Sequence, residues 1–194
     1  MKRAEKRDHL INVAAKIFNR LGYHAAGVDH VIAEAGIAKT TLYRHFDSKE
    51  DLIVAVLKRI DEQYRDDMRG AVDRAAADGA ADVPSDRLLA TFDFLEAWFR
   101  DKSFYGCPFT SAAAEYSERR SPVFQEAMMH KRLVAAYFEE LACAAGLREP
   151  RRLAEEINLL HEGATAVAHI TGDAGEARKA KLVAALLIDR AQTA

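Results

Sequence analysis

Residues 28–46 read VDHVIAEAGIAKTTLYRHF, and this segment is the most informative part of the sequence about the fold. Its apolar residues predict a short helix at Val28–Ala35, and Gly36 is typical of the residue that ends a helix. A second helix is predicted from Lys39 to Phe46. The stretch therefore forms a helix, a tight glycine-containing turn and another helix.

The second of these helices has two different faces. Leu42 and Phe46 lie four residues apart and face inward. The outer face carries cationic, hydroxyl and aromatic side chains, namely Lys39, Thr40, Tyr43 and Arg44. Such groups suit DNA, because Lys and Arg donate to phosphates or guanine and hydroxyls bond to either. DNA binding is the interpretation that this face favours, and the alternative is a helical hairpin with solvated charges in an unrelated bundle.

Composition and charge agree with a globular protein of one or two domains. The chain has 194 residues, 49% of them apolar and 30% charged. Residues 1–50 carry a net charge of +3 and residues 51–194 a net charge of −5. A polyanion is therefore expected to meet the first 50 residues.

Several classes of protein are disfavoured by the same sequence. No charge-free run is long enough to span a membrane, and no apolar segment follows the basic N-terminus as in a secretory signal, so we expect a cytoplasmic protein. Cys107 and Cys143 are too few for a disulfide scaffold and lack the spacing of a metal site. Motifs of serine hydrolases, phosphate-binding loops and zinc proteases do not occur, so we expect no enzyme, no catalytic residues and no cofactor.

Helical spacing extends over most of the remaining chain. A first helix is predicted from about Arg3 to Leu21, and Ser48 is typical of the N-cap of a long helix that ends at about Arg69. Residues 70–85 are rich in Ala, Asp and Gly, which predicts a frayed helix end and a flexible connection. Further helices are predicted at about 86–101, 106–118, 121–145, 150–171 and 175–192. The expected fold class is all-α, with about nine helices.

The motif resembles the DNA-binding domain of the TetR/AcrR family of bacterial transcriptional regulators. The residues that carry the resemblance are AGIAKTTLYRHF at 35–46 and SKEDL at 48–52, within a similar region that covers about residues 8–57. Gly106–Phe109 with Ala112–Glu115 resembles a variant of the family's sixth helix. The resemblance implies a three-helix, helix-turn-helix DNA-binding domain at 1–48 and a larger helical ligand-binding and dimerisation domain at 49–194.

By this resemblance, seven residues are expected to contact DNA: Lys39, Thr40, Thr41, Tyr43, Arg44, His45 and Lys49. Tyr43 and Lys49 would mainly contact phosphates. Two departures from the family pattern affect helix capping, because Ala26-Gly27 and Ala38 stand where hydroxyl residues are usual. Any phosphate contact at Gly27 must therefore come from backbone N–H groups.

A homodimer is expected, because one recognition helix reads few base pairs and such proteins bind two half-sites. In the family, the last two helices form a four-helix bundle with those of the partner. The apolar residues assigned to this interface are Leu153, Ile157, Leu160, Ala164, Val167, Ala168, Leu182, Val183, Leu186 and Leu187. The alternative is that they complete the core of the monomer.

The middle helices are expected to enclose a pocket for an unidentified apolar or aromatic effector. The candidates for its wall are Phe92, Leu95, Trp98, Phe99, Phe109, Tyr116, Met128 and Tyr137, and the alternative for each is ordinary core. An effector that favours a conformer with wrongly spaced recognition helices would weaken DNA binding, with the fourth helix as the lever. His161 and His169 are about 12 Å apart along a helix, too far to share a metal, and Cys107 is interpreted as a buried thiol rather than a redox sensor.

The expected function is a ligand-responsive repressor that dissociates from its double-stranded operator when the effector binds. Two other interpretations remain open at this point. One is an enzyme, and the other is a helical interaction module whose basic end binds protein or membrane.

Overall fold

The computed structural model describes residues 3–192, which form nine α-helices and no strand within that range. The helices are α1 (Arg3–Leu21), α2 (Val28–Ala35), α3 (Lys39–Tyr43), α4 (Lys49–Ala77), α5 (Asp86–Phe99), α6 (Pro108–Glu115), α7 (Pro122–Ala144), α8 (Pro150–Thr171) and α9 (Glu176–Gln192). The predicted all-α fold is confirmed. None of these helices is both long enough and apolar enough to span a bilayer.

Three helices end at least three residues away from their predicted ends. Helix α4 continues to Ala77 instead of ending at about Arg69, because Met68 and Val72 are buried on its later turns and alanines favour helix beyond them. Helix α6 ends at Glu115 rather than about Glu118, because Tyr116 leaves helical geometry at φ −108° and ψ 66°. Helix α3 ends at Tyr43 rather than Phe46, although the Phe46 N–H still donates to the Leu42 C=O at 3.0 Å.

The turn between α2 and α3 depends on Gly36. Its backbone is left-handed, with φ 63° and ψ 34°, a conformation that glycine adopts without steric cost. The Gly36 N–H donates to the Ala33 C=O and the Ile37 N–H to the Ile32 C=O, each at 3.2 Å. The turn therefore closes the end of α2 before α3 begins.

The chain divides into two compact units. The first contains residues up to Gln63 together with Cys107–His130. Its core is formed by apolar residues of α1 to α3, the first part of α4, α6 and the start of α7, including Phe18, Leu42 and Phe109. The helix-turn-helix is thus packed into a larger body than the predicted segment 1–48, since α4, α6 and α7 all bury side chains in the same core.

The second unit contains Tyr64–Gly106 and the residues from Lys131 onward. Its core is contributed by the second part of α4, by α5, by the rest of α7, and by α8 and α9. Phe92 and Leu95 of α5 are almost fully buried there, as are Phe138 of α7 and Ile157 of α8.

Candidate nucleic-acid interface

Helix α3 presents the two faces that its sequence predicts. Leu42 is completely buried and Phe46 nearly so. Lys39, Thr40, Tyr43 and Arg44 are exposed, and we call these four side chains the recognition face. Tyr43 is 45% exposed even though its side chain is large and aromatic. Thr41 and His45, the other predicted contacts on this segment, are half-buried beside this face.

An ion pair connects the recognition face to α2. Lys39 Nζ lies 3.0 Å from Asp29 Oδ1, and both side chains are well exposed. The hydrogen bond to Asp29 raises the pKa of Lys39, and the negative charge of the same carboxylate adds to the effect. Lys39 therefore remains a cation at neutral pH, with one acidic neighbour on the same surface.

The segment after α3 is held by packing and by a helix cap. The Arg7 guanidinium of α1 lies over the Phe46 ring, 5.1 Å from its centroid, in a cation–π contact. Ser48 caps α4, because its Oγ accepts the Asp51 N–H at 3.1 Å and donates to the Asp51 carboxylate at 2.8 Å. The cap fixes the first turn of α4, where Lys49 is located.

Lys49 contacts the loop between α1 and α2. Its Nζ donates to the His24 C=O at 3.2 Å, and the residue is half-buried. Partial burial lowers the pKa of Lys49, while the negative charge of Glu115 opposes this shift. The predicted phosphate-binding lysine is thus anchored to the backbone in the free protein.

A contact that the sequence did not reveal holds the same loop. The carboxylate of Glu115, the last residue of α6, accepts the Tyr23 N–H at 2.9 Å and also the N–H of His24. Glu115 was noted for its place in the α6 motif, but its partners lie about ninety residues earlier in the chain. No periodic pattern connects residues so far apart.

Comparison with known proteins agrees with this geometry. Residues 10–56 match the sequence model of the family described as bacterial regulatory proteins, tetR family. The HTH-type transcriptional activator FasR of Mycolicibacterium smegmatis is 38% identical over 94 residues, which are 48% of this chain and only 42% of FasR. The HTH-type transcriptional regulator LmrA of Bacillus subtilis is 25% identical over 167 residues, or 84% of this chain and 86% of LmrA.

A solved structure extends the similarity over the whole chain. It is a TetR-family transcriptional regulator from Streptomyces coelicolor, with a TM-score of 0.84 at 26% identity, and the match covers 98% of this chain and 97% of the other. This chain belongs to the TetR family. The resemblance inferred from the sequence is confirmed, and the protein is a TetR-family transcriptional regulator. Its relatives named above are transcription factors rather than enzymes.

The effector-pocket candidates of this TetR-family chain fall into two groups. Phe92, Leu95, Trp98, Phe99 and Tyr137 lie in or against the core of the second unit. The other three belong to the first unit: Phe109, Tyr116 and Met128. Phe109 is stacked on the buried His130 ring with centroids 3.6 Å apart, and Tyr116 is stacked on the His24 ring.

Several aromatic rings of the second unit lie in contact with one another. Trp98 makes edge contacts with Tyr64 and Phe104, whose centroids lie 5.3 and 5.0 Å away. His161 is buried, with Phe92 and Phe138 at 5.8 and 5.2 Å. Burial raises the pKa of Tyr137 to about 12, so its hydroxyl remains neutral at physiological pH.

The residues assigned to the dimer interface differ in exposure. Leu153, Ile157, Ala164 and Ala168 are buried in the second unit's own core, because they face α5 and α9 of the same chain. Leu160 and Leu187 are partly buried against that core. The remaining four are exposed: Val167, Leu182, Val183 and Leu186.

Two exposed apolar residues of α8 were missed in the sequence. Leu159 is 73% exposed and Ile170 is 83% exposed. Ile170 and Val167 are one helical turn apart, so a search for a second apolar stripe on α8 would have found them. Leu159, Val167, Ile170, Leu182, Val183 and Leu186 together are called the exposed α8–α9 face.

Proposed function

We propose that this TetR-family regulator is a homodimeric repressor that an apolar or aromatic effector releases from a double-stranded operator. The observation that carries DNA binding is the recognition face, whose cationic, hydroxyl and aromatic groups stand exposed above the buried Leu42 and Phe46. A side-chain set of this kind suits phosphates and base edges and has no evident use in the core of the chain.

The proposal assigns different tasks to the predicted contacts. Tyr43 and Lys49 mainly contact phosphates, and Arg44 contacts either a base or the DNA backbone. The remaining predicted contacts face base edges in the major groove: Lys39, Thr40, Thr41 and His45. Gly27 and Ala38 begin α2 and α3 without a side-chain hydrogen bond to the helix. At the start of α2, backbone N–H groups take the place of the missing hydroxyl contact to phosphate.

Dimerisation through the last two helices is supported by the exposed α8–α9 face. Leu182 is 71% and Leu186 69% exposed, which is unusual for leucines that have no partner to cover them. A two-fold pairing of this face places two recognition helices on half-sites about 34–36 Å apart. The buried Leu153 and Ile157 support α8 from inside.

The effector proposal is supported by the group of contacting aromatic rings in the second unit. Phe92, Leu95, Trp98, Phe99 and Tyr137 are the proposed wall, and His161 is a polar group among them for orientation of a ligand. Phe109, Tyr116 and Met128, which belong to the first unit, stay sequence predictions for this pocket. The effector releases DNA by favouring the conformer with wrongly spaced recognition helices.

DNA selection tests the proposed binding directly. The protein is incubated with a random duplex library, the enriched sequence is determined, and its affinity is compared with that of a scrambled duplex at several salt concentrations. We expect a palindromic sequence, with affinity that falls steeply as salt rises. Absence of any preferred duplex at all salt concentrations would favour the helical interaction module instead.

A reporter assay distinguishes repression from activation. FasR is named an activator, so the direction of regulation is tested with the selected sequence placed across a promoter. We expect lower reporter expression with the protein than without it. Higher expression would replace the repressor by an activator and leave DNA binding intact.

A further inference from the structure

The loop between α1 and α2 begins with backbone groups that need partners from outside the loop. Helix α1 ends at Leu21, and Gly22 turns the chain with a left-handed φ of 83°. The next two N–H groups are those of Tyr23 and His24. Tyr23 is buried, so its N–H must be paired, whereas His24 is exposed. The partner of the Tyr23 N–H therefore helps to determine where the loop lies.

Glu115 pairs both groups. Each carboxylate oxygen accepts one N–H, with Tyr23 on Oε1 at 2.9 Å and His24 on Oε2. A Cβ added at Gly22 would lie 2.9 Å from Oε1, so only glycine lets the carboxylate approach this closely. Hydrogen bonds to a charged acceptor are about twice as strong as neutral ones, which makes this a firm attachment.

The same loop is attached to both ends of α6. The Tyr23 hydroxyl donates to the C=O of Pro108, the first residue of the helix, at 3.0 Å. His24 Nε2 lies 2.8 Å from the C=O of Glu115, the last residue, and donates to it. The His24 ring also stacks on Tyr116, with centroids 4.7 Å apart and an interplanar angle of 24°.

The attached loop leads directly to two elements used in DNA binding. Helix α2 begins four residues after His24, and its N-cap Gly27 makes no side-chain hydrogen bond that could place it. Lys49 Nζ donates to the His24 C=O, so the position of this carbonyl sets the position of the ammonium group. The loop therefore determines the start of α2 and the direction of a proposed phosphate contact.

We propose that Glu115 is a positioning residue for DNA binding, because its carboxylate holds the loop that places α2 and Lys49. This inference rests on the proposed function. An acidic residue of the DNA-binding unit would then increase the affinity for DNA, which is itself a polyanion. Removal of a negative charge should by itself strengthen phosphate binding, so a positioning role and simple electrostatics predict opposite effects.

The test compares two substitutions that remove the same charge. Glu115→Gln loses the bidentate acceptor, and Glu118→Gln is the matched control from the exposed segment after α6. Affinity for the duplex selected by the wild-type protein is measured by fluorescence anisotropy. We expect Glu115→Gln to weaken binding about tenfold or more, the equivalent of one charge-assisted hydrogen bond. Glu118→Gln should bind as tightly as the wild-type protein or slightly more tightly.

A second variant tests the contact without a change of charge. Gly22→Ala places a methyl group against the carboxylate and also strains the turn at φ 83°, and both effects should weaken DNA binding in the same direction. For both variants, circular dichroism and dimer mass establish that the fold persists, and amide NMR shifts of Tyr23 and His24 report whether the contact is lost. The proposal would be overturned if Glu115→Gln bound the selected duplex with wild-type affinity. It would also be overturned if Gly22→Ala changed the amide shifts of Tyr23 and His24 but kept wild-type affinity.

The outcome separates this inference from the proposed function. If the wild-type protein selects no duplex, the proposed function fails, and the positioning role fails with it, although the NMR shifts still report the contact. If the wild-type protein selects a duplex and Glu115→Gln binds it equally well, only the positioning role fails.

Discussion

Asp29 is an acidic residue beside the recognition face, and its charge opposes the proposed ligand. Its carboxylate pairs with Lys39 at 3.0 Å, so DNA must either displace this contact or accept an anion near its phosphates. We predict that Asp29→Asn raises affinity for a scrambled duplex about three- to tenfold at low salt, and affinity for the selected duplex by less. Discrimination between the two duplexes should therefore fall.

Glu34→Gln is the control for this prediction, because Glu34 is an exposed acid on the same helix. Binding to both duplexes is measured by anisotropy over a salt series, and Lys39→Met is combined with Asp29→Asn in a double-mutant cycle. If Asp29→Asn and Glu34→Gln raised DNA affinity equally, and Asp29 showed no coupling to Lys39, the effect of Asp29 would be that of any nearby negative charge.

The proposed roles of the contact residues give a second prediction at this scale. Tyr43→Ala and Lys49→Ala should weaken binding to all duplexes. Lys49→Ala should also reduce the slope of log affinity against log salt concentration by about 1, the contribution of one phosphate contact. Lys39→Ala and Thr40→Ala should instead change the sequence that is preferred. Repeated selection with each variant measures both effects, and an equal loss of affinity with unchanged preference in all four would contradict the assignment.

Residue positions on one helix were predictable from the sequence, but contacts between helices were not. The exposure of Lys39 and Tyr43 follows from their spacing against Leu42, because a helix repeats every 3.6 residues. The Lys39–Asp29 pair and the Glu115 contact depend on how separate helices pack. Spacing within one helix contains no information about that packing.

The N-terminus of α2 lacks a side-chain cap, and a substitution there could increase the stability of the protein. Gly27 is its N-cap, with φ −70° and ψ 148°, and a Cβ there would meet nothing within 4 Å. We predict that Gly27→Ser raises the free energy of unfolding by about 0.5–1 kcal/mol, because a hydroxyl cap is added and the unfolded chain loses freedom. Urea unfolding measures the change.

Two further variants isolate the cap. Gly27→Ala should raise the free energy of unfolding only through the lost freedom of the unfolded chain. If the hydroxyl caps α2, Gly27→Ser must raise this free energy by more than Gly27→Ala does. Gly36→Ala should destabilise the protein, because Gly36 has a φ of 63° that a side chain disfavours. Equal stability of the serine and alanine variants at position 27 would show that the hydroxyl does not cap α2.

The helix ends show which helix boundaries the local sequence pattern can predict. Helices α1, α2 and α8 begin and end where the sequence predicts, because stop residues such as Gly22, Gly36 and Gly172 follow them directly. Helix α4 passed through Gly70 and its neighbours because burial of Val72 outweighs the cost of a glycine in the helix. Tertiary packing, absent from a local pattern, decided that boundary.

The assignment of the dimer interface was limited in the same way, because a pattern within one helix does not show which residues pack against other helices. Ten apolar residues of α8 and α9 could be assigned to these helices from the sequence, but the pattern did not separate those facing the chain's own core from those facing outward. The structure makes this division: Ile157 and Ala168 are buried within one chain, while Leu182 and Leu186 are exposed. In the proposed dimer, a second copy contacts the exposed α8–α9 face rather than the buried residues of these helices.

Charge placed on this face should therefore break the dimer without unfolding the chain. We predict that Ile170→Glu or Leu186→Glu raises the dimer dissociation constant at least about a hundredfold, because a two-fold interface buries each introduced carboxylate twice. Affinity for the palindromic duplex should fall with it, since one recognition helix alone reads too few base pairs. Sedimentation velocity and anisotropy measure the two effects on the same samples.

Val83→Glu is the matched control, because Val83 is an exposed apolar residue of the same unit outside α8 and α9. It should leave both the dimer and DNA binding unchanged, and circular dichroism should be the same for all three variants. Dimers that persist in Ile170→Glu and Leu186→Glu would place the interface elsewhere. A monomer that still binds the selected duplex with wild-type affinity would instead remove dimerisation from the mechanism, because the spacing of two recognition helices could then no longer be what the effector changes.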